Sequence, residues 1–136
     1  MNAPFRTKPW YLAIFTAGRW VTLYPWIYLP ANAFPTDRPD VAAHEAVHLA
    51  QQKAMGLWSW LFRYFVSRSF RLDQEAEGIA MECSCTDAPR ANLIVLSYSD
   101  QLAGSAYFWA AKSPTEAEAV IRLKLIQPGL GPFSGG

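Results

Sequence analysis

The sequence predicts an α+β domain, mostly helical, with a short antiparallel sheet placed ahead of its central helix. An aromatic and β-branched run over residues 19–29 has the composition of half-buried strands. Four later segments carry helical periodicity or helix start and stop signals. A length of 136 residues with 51% hydrophobic residues is that of one domain, 1–136, around one core.

Residues 1–9, with Pro4 and Pro9 among polar groups, read as an extended arm. The stretch from Trp10 to Leu29 is apolar, but Gly18, Arg19 and Pro25 interrupt it. No run reaches the roughly 18 residues that a spanning helix needs, and no leader peptide is legible, so no membrane span is expected. R-W-V-T-L-Y-P-W-I-Y-L then reads as two short strands, with Pro25, which cannot donate to a ladder, at the turn or on an edge. Pro30, Pro35 and Pro39 punctuate a loop. Asp37 or Asp40 is placed to cap a helix running to about Met55, where Gly56 suits the terminating position and Lys53 complements the dipole.

A second helix is expected over Leu57–Phe70, where Trp58, Leu61, Phe62 and Phe65 recur at i, i+3, i+4 and i+7. That stripe predicts a core-facing side in preference to a membrane-surface anchor. A third helix should span about Asp73–Cys85, closed by Asp87, Ala88 and Pro89. Ala91–Leu102 fits helix or strand equally. Ser113, Pro114 and Glu116 mark the start of a last helix reaching about Ile126, and residues 127–136 read as a flexible tail.

Twelve basic residues against eleven acidic ones leave no field to gather nucleic acid, so none is expected as a partner. Cys83 and Cys85, two apart on a helix, face different sides and would bridge only under strain. Reduced thiols and a cytoplasmic setting follow as the expectation. Oligomeric state is left open.

The chemistry concentrates in A-H-E-A-V-H. The only two histidines, His44 and His48, lie four apart, so both imidazoles can reach one ion from a single helix face. Zinc accepts neutral imidazole nitrogen, and a catalytic site keeps a position for water. Glu45, next to His44, is positioned to act as the general base on that water and then to protonate the leaving amine. With no third histidine, the remaining ligand must be a carboxylate or a cysteine. Glu75, Glu77 and Glu82 supply candidates, of which Glu75 and Glu82 share a face.

These residues resemble the gluzincin metallopeptidases, in particular the small single-domain versions common in bacterial and phage genomes. The resemblance covers roughly residues 20–85. It is carried by I-Y-L-P at Ile27–Pro30, A-H-E-A-V-H-L-A-Q-Q at Ala43–Gln52, R-Y-F near Tyr64 and R-L-D-Q-E-A-E-G at Arg71–Gly78. It implies a minimal zincin-like fold and a zinc peptidase acting on a peptide or protein substrate. Glu75 would be the third ligand, with Glu77 in reserve, and Gly78 stands where the family usually has alanine. Zincins also place a tyrosine or histidine to stabilise the oxyanion; here Tyr107 is the candidate, with Tyr28 and Tyr98 behind it. An extended substrate would add to a strand edge near Tyr24–Leu29. The alternative is a catalytically inactive zincin-like binding protein whose metal site is structural or degenerate.

Overall fold

The computed structural model describes residues 3–16 and 18–127. The expected tail beyond Gln127 therefore lies outside the described residues. In chain order come strand β1 (Phe5–Thr7), helix α1 (Trp10–Thr16), strands β2 (Val21–Leu23) and β3 (Trp26–Leu29), then helices α2 (Pro39–Met55), α3 (Leu57–Val66), α4 (Arg68–Ser84), α5 (Ala88–Leu102) and α6 (Pro114–Ile126). The architecture is α+β and mostly helical, as the sequence predicts.

The sheet differs from the expectation in one strand. Its order is β1-β3-β2, with β2 antiparallel and β1 parallel to β3, so it is mixed rather than wholly antiparallel. The arm supplies that extra strand: Ile27 N–H bonds the Pro4 carbonyl at 2.7 Å and Lys8 N–H the Leu29 carbonyl at 2.8 Å. Tyr24 and Pro25, joined by a cis peptide, form the turn between β2 and β3. β3 is thus paired along both edges, and the Gln52 carboxamide takes the Thr22 carbonyl (2.9 Å) and the Tyr24 N–H (2.7 Å). The edge expected to receive substrate near Tyr24–Leu29 is already occupied.

α2 starts differently from its prediction. Arg38 is the N-cap and offers no capping side chain; Asp37 instead closes the preceding turn by accepting from Phe34 N–H (2.9 Å), and Asp40 pairs with Arg38 at 3.2 Å. Gly56 ends α2 as expected, at φ 91°, and passes the chain directly into α3. The second and third helices divide earlier than predicted. Ser67 leaves the helical region and its hydroxyl accepts from Phe70 N–H, so α3 stops at Val66 and α4 begins at Arg68. The ambiguous segment is helix α5, capped by the Asp87 carboxylate on Arg90 N–H with Pro89 in its first turn. Ser113 caps α6 through Glu116 N–H as the sequence indicates.

Leu72, Ala76, Ile79 and Cys83 of α4 pack with Val95 and Leu102 of α5 and with Ala117 and Ile121 of α6, forming the main core. On the other side α2 lies between α4 and the sheet, with Val47, Ile27 and Leu29 buried. The apolar stripe of α3 faces the wrong way for its prediction: Trp58 is 80% exposed, Phe62 67% and Phe65 62%. The inward side is instead Trp60, whose indole N–H bonds Gln74 Oε1 at 2.8 Å, and Tyr64 stacked on it. Cys83 and Cys85 are free thiols, and burial pushes the Cys83 thiol up to about 11. No helix among the described residues is long and apolar enough to cross a membrane.

Candidate metal centre

α2 and α4 lie against each other along the middle of both helices, and three side chains converge at their contact. His44 Nε2 and His48 Nε2 are 3.1 Å apart, and Glu75 Oε2 lies 3.3 Å from the first and 3.2 Å from the second. All three residues are buried. Helix periodicity places His44 and His48 one turn apart on the face of α2 that meets α4, and it places Glu75 on the matching face of α4.

The remaining hydrogen bonds show what that triangle asks for. His44 Nδ1 faces Glu82 Oε1 at 3.1 Å, and a carboxylate oxygen only accepts, so Nδ1 carries the proton. His48 Nδ1 faces Gln51 Oε1 at 2.9 Å; the Gln51 amide NH2 is oriented by the Gln74 carbonyl and Glu77 Oε2, both at 3.2 Å. His48 Nδ1 therefore donates as well. In neutral rings both Nε2 atoms then present lone pairs, toward each other and toward a carboxylate oxygen that is also an acceptor. Three acceptors converge with no donor between them. Such a set is stable only around a cation or with extra protons.

The spacing fits a metal. Tetrahedral ligands at about 2.0–2.1 Å from zinc stand about 3.3–3.4 Å from one another, close to the observed triangle. The outer contacts have the form that metal-ligating histidines use, with the second ring nitrogen held by a carboxylate or an amide oxygen. Tyr64 O–H donates to Glu75 Oε1 at 2.7 Å, which leaves Oε2 for the triangle, and Tyr98 O–H donates to Glu82 Oε1 at 3.0 Å. The group of His44, His48 and Glu75 could hold a metal ion.

Without a metal, protons take its place. Burial alone disfavours a charged His44, but its bonds to Glu75 and Glu82 outweigh burial and raise the ring to about 10. His48 is raised in the same way, against burial, by the Glu75 charge. The two rings hold Glu75 well below the usual carboxylate range, again against burial. Metal binding must therefore displace protons.

Gly78 is what lets the helices come this close. A Cβ at that position would lie 2.7 Å from His44 Cδ2 and 2.8 Å from His44 Nε2. The glycine thus has a steric reason: it makes room for the His44 ring. Gly78→Ala gains up to about 1 kcal/mol of helix propensity, yet we expect it to lose about 1–3 kcal/mol through overpacking and to weaken metal affinity about tenfold or more. Thermal melting and metal titration check this; a stabilised variant with unchanged affinity would show that the ring yields freely.

Glu45 is not part of the triangle, although its charge acts on both His44 and His48. Thr22 of β2 donates its hydroxyl to Glu45 Oε2 at 2.6 Å and also approaches the Glu45 carbonyl at 3.2 Å. Tyr107 stacks beneath the Arg19 guanidinium, 4.8 Å from Cζ to the ring centre, and its ring lies 6.4 Å from that of Tyr98. Burial and then the Glu75 charge push its hydroxyl up, with Glu45 adding to the effect. Tyr98 serves Glu82, and Tyr28 has no polar side-chain contact with the cluster among the described residues. Glu77 is directed to Gln51 and not to the triangle. Glu82, named from sequence only as a possible ligand, instead faces the outer ring nitrogen of His44. Its place on the face of Glu75 was the available signal, but that face alone cannot tell a ligand from the partner of a ligand. Tyr64 and Thr22 carried no such signal, because each acts on a different element from its own, whereas Gln51 stands one turn after His48 on α2, a spacing open to sequence reading. Comparison of the chain with protein-family models, with curated proteins and with solved structures gives no match.

Proposed function

We propose that this chain is a gluzincin-type zinc peptidase, with His44, His48 and Glu75 as metal ligands, Glu45 as general base and a peptide or protein as substrate. The observation that carries the proposal is the triangle of converging acceptors together with a carboxylate, Glu45, whose charge acts on both imidazoles and which is not needed to complete the triangle. A structural metal site has no use for such a carboxylate, whereas hydrolysis requires one.

Zinc, when bound, supplies a Lewis acid that polarises a carbonyl and acidifies water. The protein's own groups do the rest. Glu45 takes a proton from the attacking water and returns it to the amide nitrogen as the C–N bond breaks. Thr22 holds Glu45 Oε2, which leaves Oε1 to take the proton. Tyr107, kept protonated by burial and by the nearby carboxylates, is suited to donate a hydrogen bond to the carbonyl oxygen as it gains charge. Glu82 and Gln51 keep the Nδ1 protons of both ligand rings in place.

The test is elemental analysis of the purified protein followed by a peptide-library digest. The expected result is about one zinc per chain and cleavage that stops on chelation and returns when zinc is restored. Bound zinc without cleavage of any peptide would instead favour the inactive, zincin-like binding protein.

A further inference from the structure

We infer that the outer face of α3, together with Phe108 and Trp109, is a membrane-surface docking site for anionic lipid. The surface stands apart from the metal chemistry and does not depend on it.

Trp58, Phe62 and Phe65 recur at i, i+4 and i+7 and so form one stripe, directly opposite Trp60 and Tyr64, which face the protein. Val66, 64% exposed, flanks the stripe. The patch continues across the chain: the Phe108 ring meets Phe65 edge-on at 6.1 Å, and Trp109 follows it, also exposed. Phe108 and Trp109 have φ of 52° and 49°, a region that bulky L residues rarely adopt. Their backbone is fixed there. The buried Arg71 guanidinium donates to the Tyr107 carbonyl (3.0 Å) and the Phe108 carbonyl (2.9 Å), and also to the Tyr64 carbonyl at the end of α3. One cation thus clamps both halves of the patch into a rigid aromatic platform that points at solvent.

Charge selects the occupant. Between Glu45 and Asp73 the sequence contains no acidic residue, while two cations are exposed, Lys53 in the last turn of α2 and Arg63 on α3 itself, its guanidinium 5.7 Å from the Phe70 ring centre. Neither enters an ion pair among the described residues. A second copy docking face to face would bring the same cations together with nothing to neutralise them. A helix presented side-on is convex and offers no groove to an extended peptide. A bilayer suits both features: tryptophan and phenylalanine enter the boundary between headgroups and acyl chains, and lysine and arginine meet lipid phosphates. This is a surface contact; no helix among the described residues is able to span. Tyr64, on the inner face of the same helix, holds Glu75, so docking keeps the metal-ligand group about one helix diameter, roughly 10–12 Å, from the lipid.

The experiment is co-sedimentation with vesicles of mixed phosphatidylglycerol and phosphatidylcholine, and with vesicles of phosphatidylcholine alone, with tryptophan emission recorded on binding. The expected result is a blue shift and sedimentation with the anionic vesicles, much weaker with the neutral ones. Trp58→Ser with Phe62→Ser, both at exposed positions, should lower partitioning by about tenfold or more. Lys53→Glu with Arg63→Glu leaves the aromatics intact and should remove the preference for anionic lipid. Leu93→Ser, an exposed apolar change on α5, should have no effect. Absence of binding to either vesicle, or equal binding by wild type and the Trp58, Phe62 double variant, would overturn the inference. So would a concentration-dependent dimer that this double variant abolishes while lipid binding is absent.

Discussion

Replacing Glu45 with glutamine is expected to leave the metal bound and to lower peptide hydrolysis by about 10²- to 10⁴-fold, the usual contribution of a positioned general base. The two side chains have the same shape, and the glutamine oxygen can still accept the Thr22 hydroxyl that now holds Glu45 Oε2. Glu45 is not among the three residues whose ligand atoms converge, so metal content and melting temperature should stay at wild-type values. What the amide lacks is the capacity to take a proton. Turnover of a peptide found by library screening, compared at equal metal occupancy, gives the answer; an unchanged rate would remove Glu45 from the mechanism.

His44→Ala and His48→Ala are expected to abolish metal binding. Each removes one of three ligand atoms and leaves Glu75 facing a single ring. Glu75→Ala should weaken binding strongly, whereas Glu77→Ala, which loses a bond to Gln51 and no ligand, should weaken it far less. The readout is the rise in melting temperature when metal is added, because the substitutions also disturb the metal-free chain: His44→Ala leaves Glu82 without the ring that it orients. At a metal concentration a thousandfold above Kd, binding stabilises the native wild type by about 4 kcal/mol, or roughly 10 °C or more for a domain of this size. The histidine variants should show no rise. A full rise in either, or a greater loss in Glu77→Ala than in Glu75→Ala, would move the ligand assignment.

The elements differ in how openly the sequence announces them. α2, α6 and the β2–β3 hairpin are written in local signals: Gly56 after Met55, Ser113 before Pro114, and the β-branched and aromatic run around Pro25. β1 is not. Three residues, one partly buried and two exposed, carry no periodicity, and their partner lies some twenty residues away. The break between α3 and α4 is a single serine between Phe65–Val66 and Phe70, so a reading that follows the apolar period runs past it. α3 also shows why periodicity locates a stripe without locating the core. Both of its faces carry large aromatics, and only the indole bond from Trp60 to Gln74 and the phenol bond from Tyr64 to Glu75 decide which face turns inward.

That His44 and His48 sit one turn apart on a common face, with Glu45 next in the chain, follows from the residues alone, because helical periodicity is a local property of the backbone. Tertiary structure alone decided that Glu75 joins them, that Glu82 stands behind His44, and that Trp58, Phe62 and Phe65 face water. Those outcomes depend on how closely and at what register α2, α3 and α4 pack, and on the space that Gly78 leaves for a histidine ring. No spacing within a single helix encodes a distance between two.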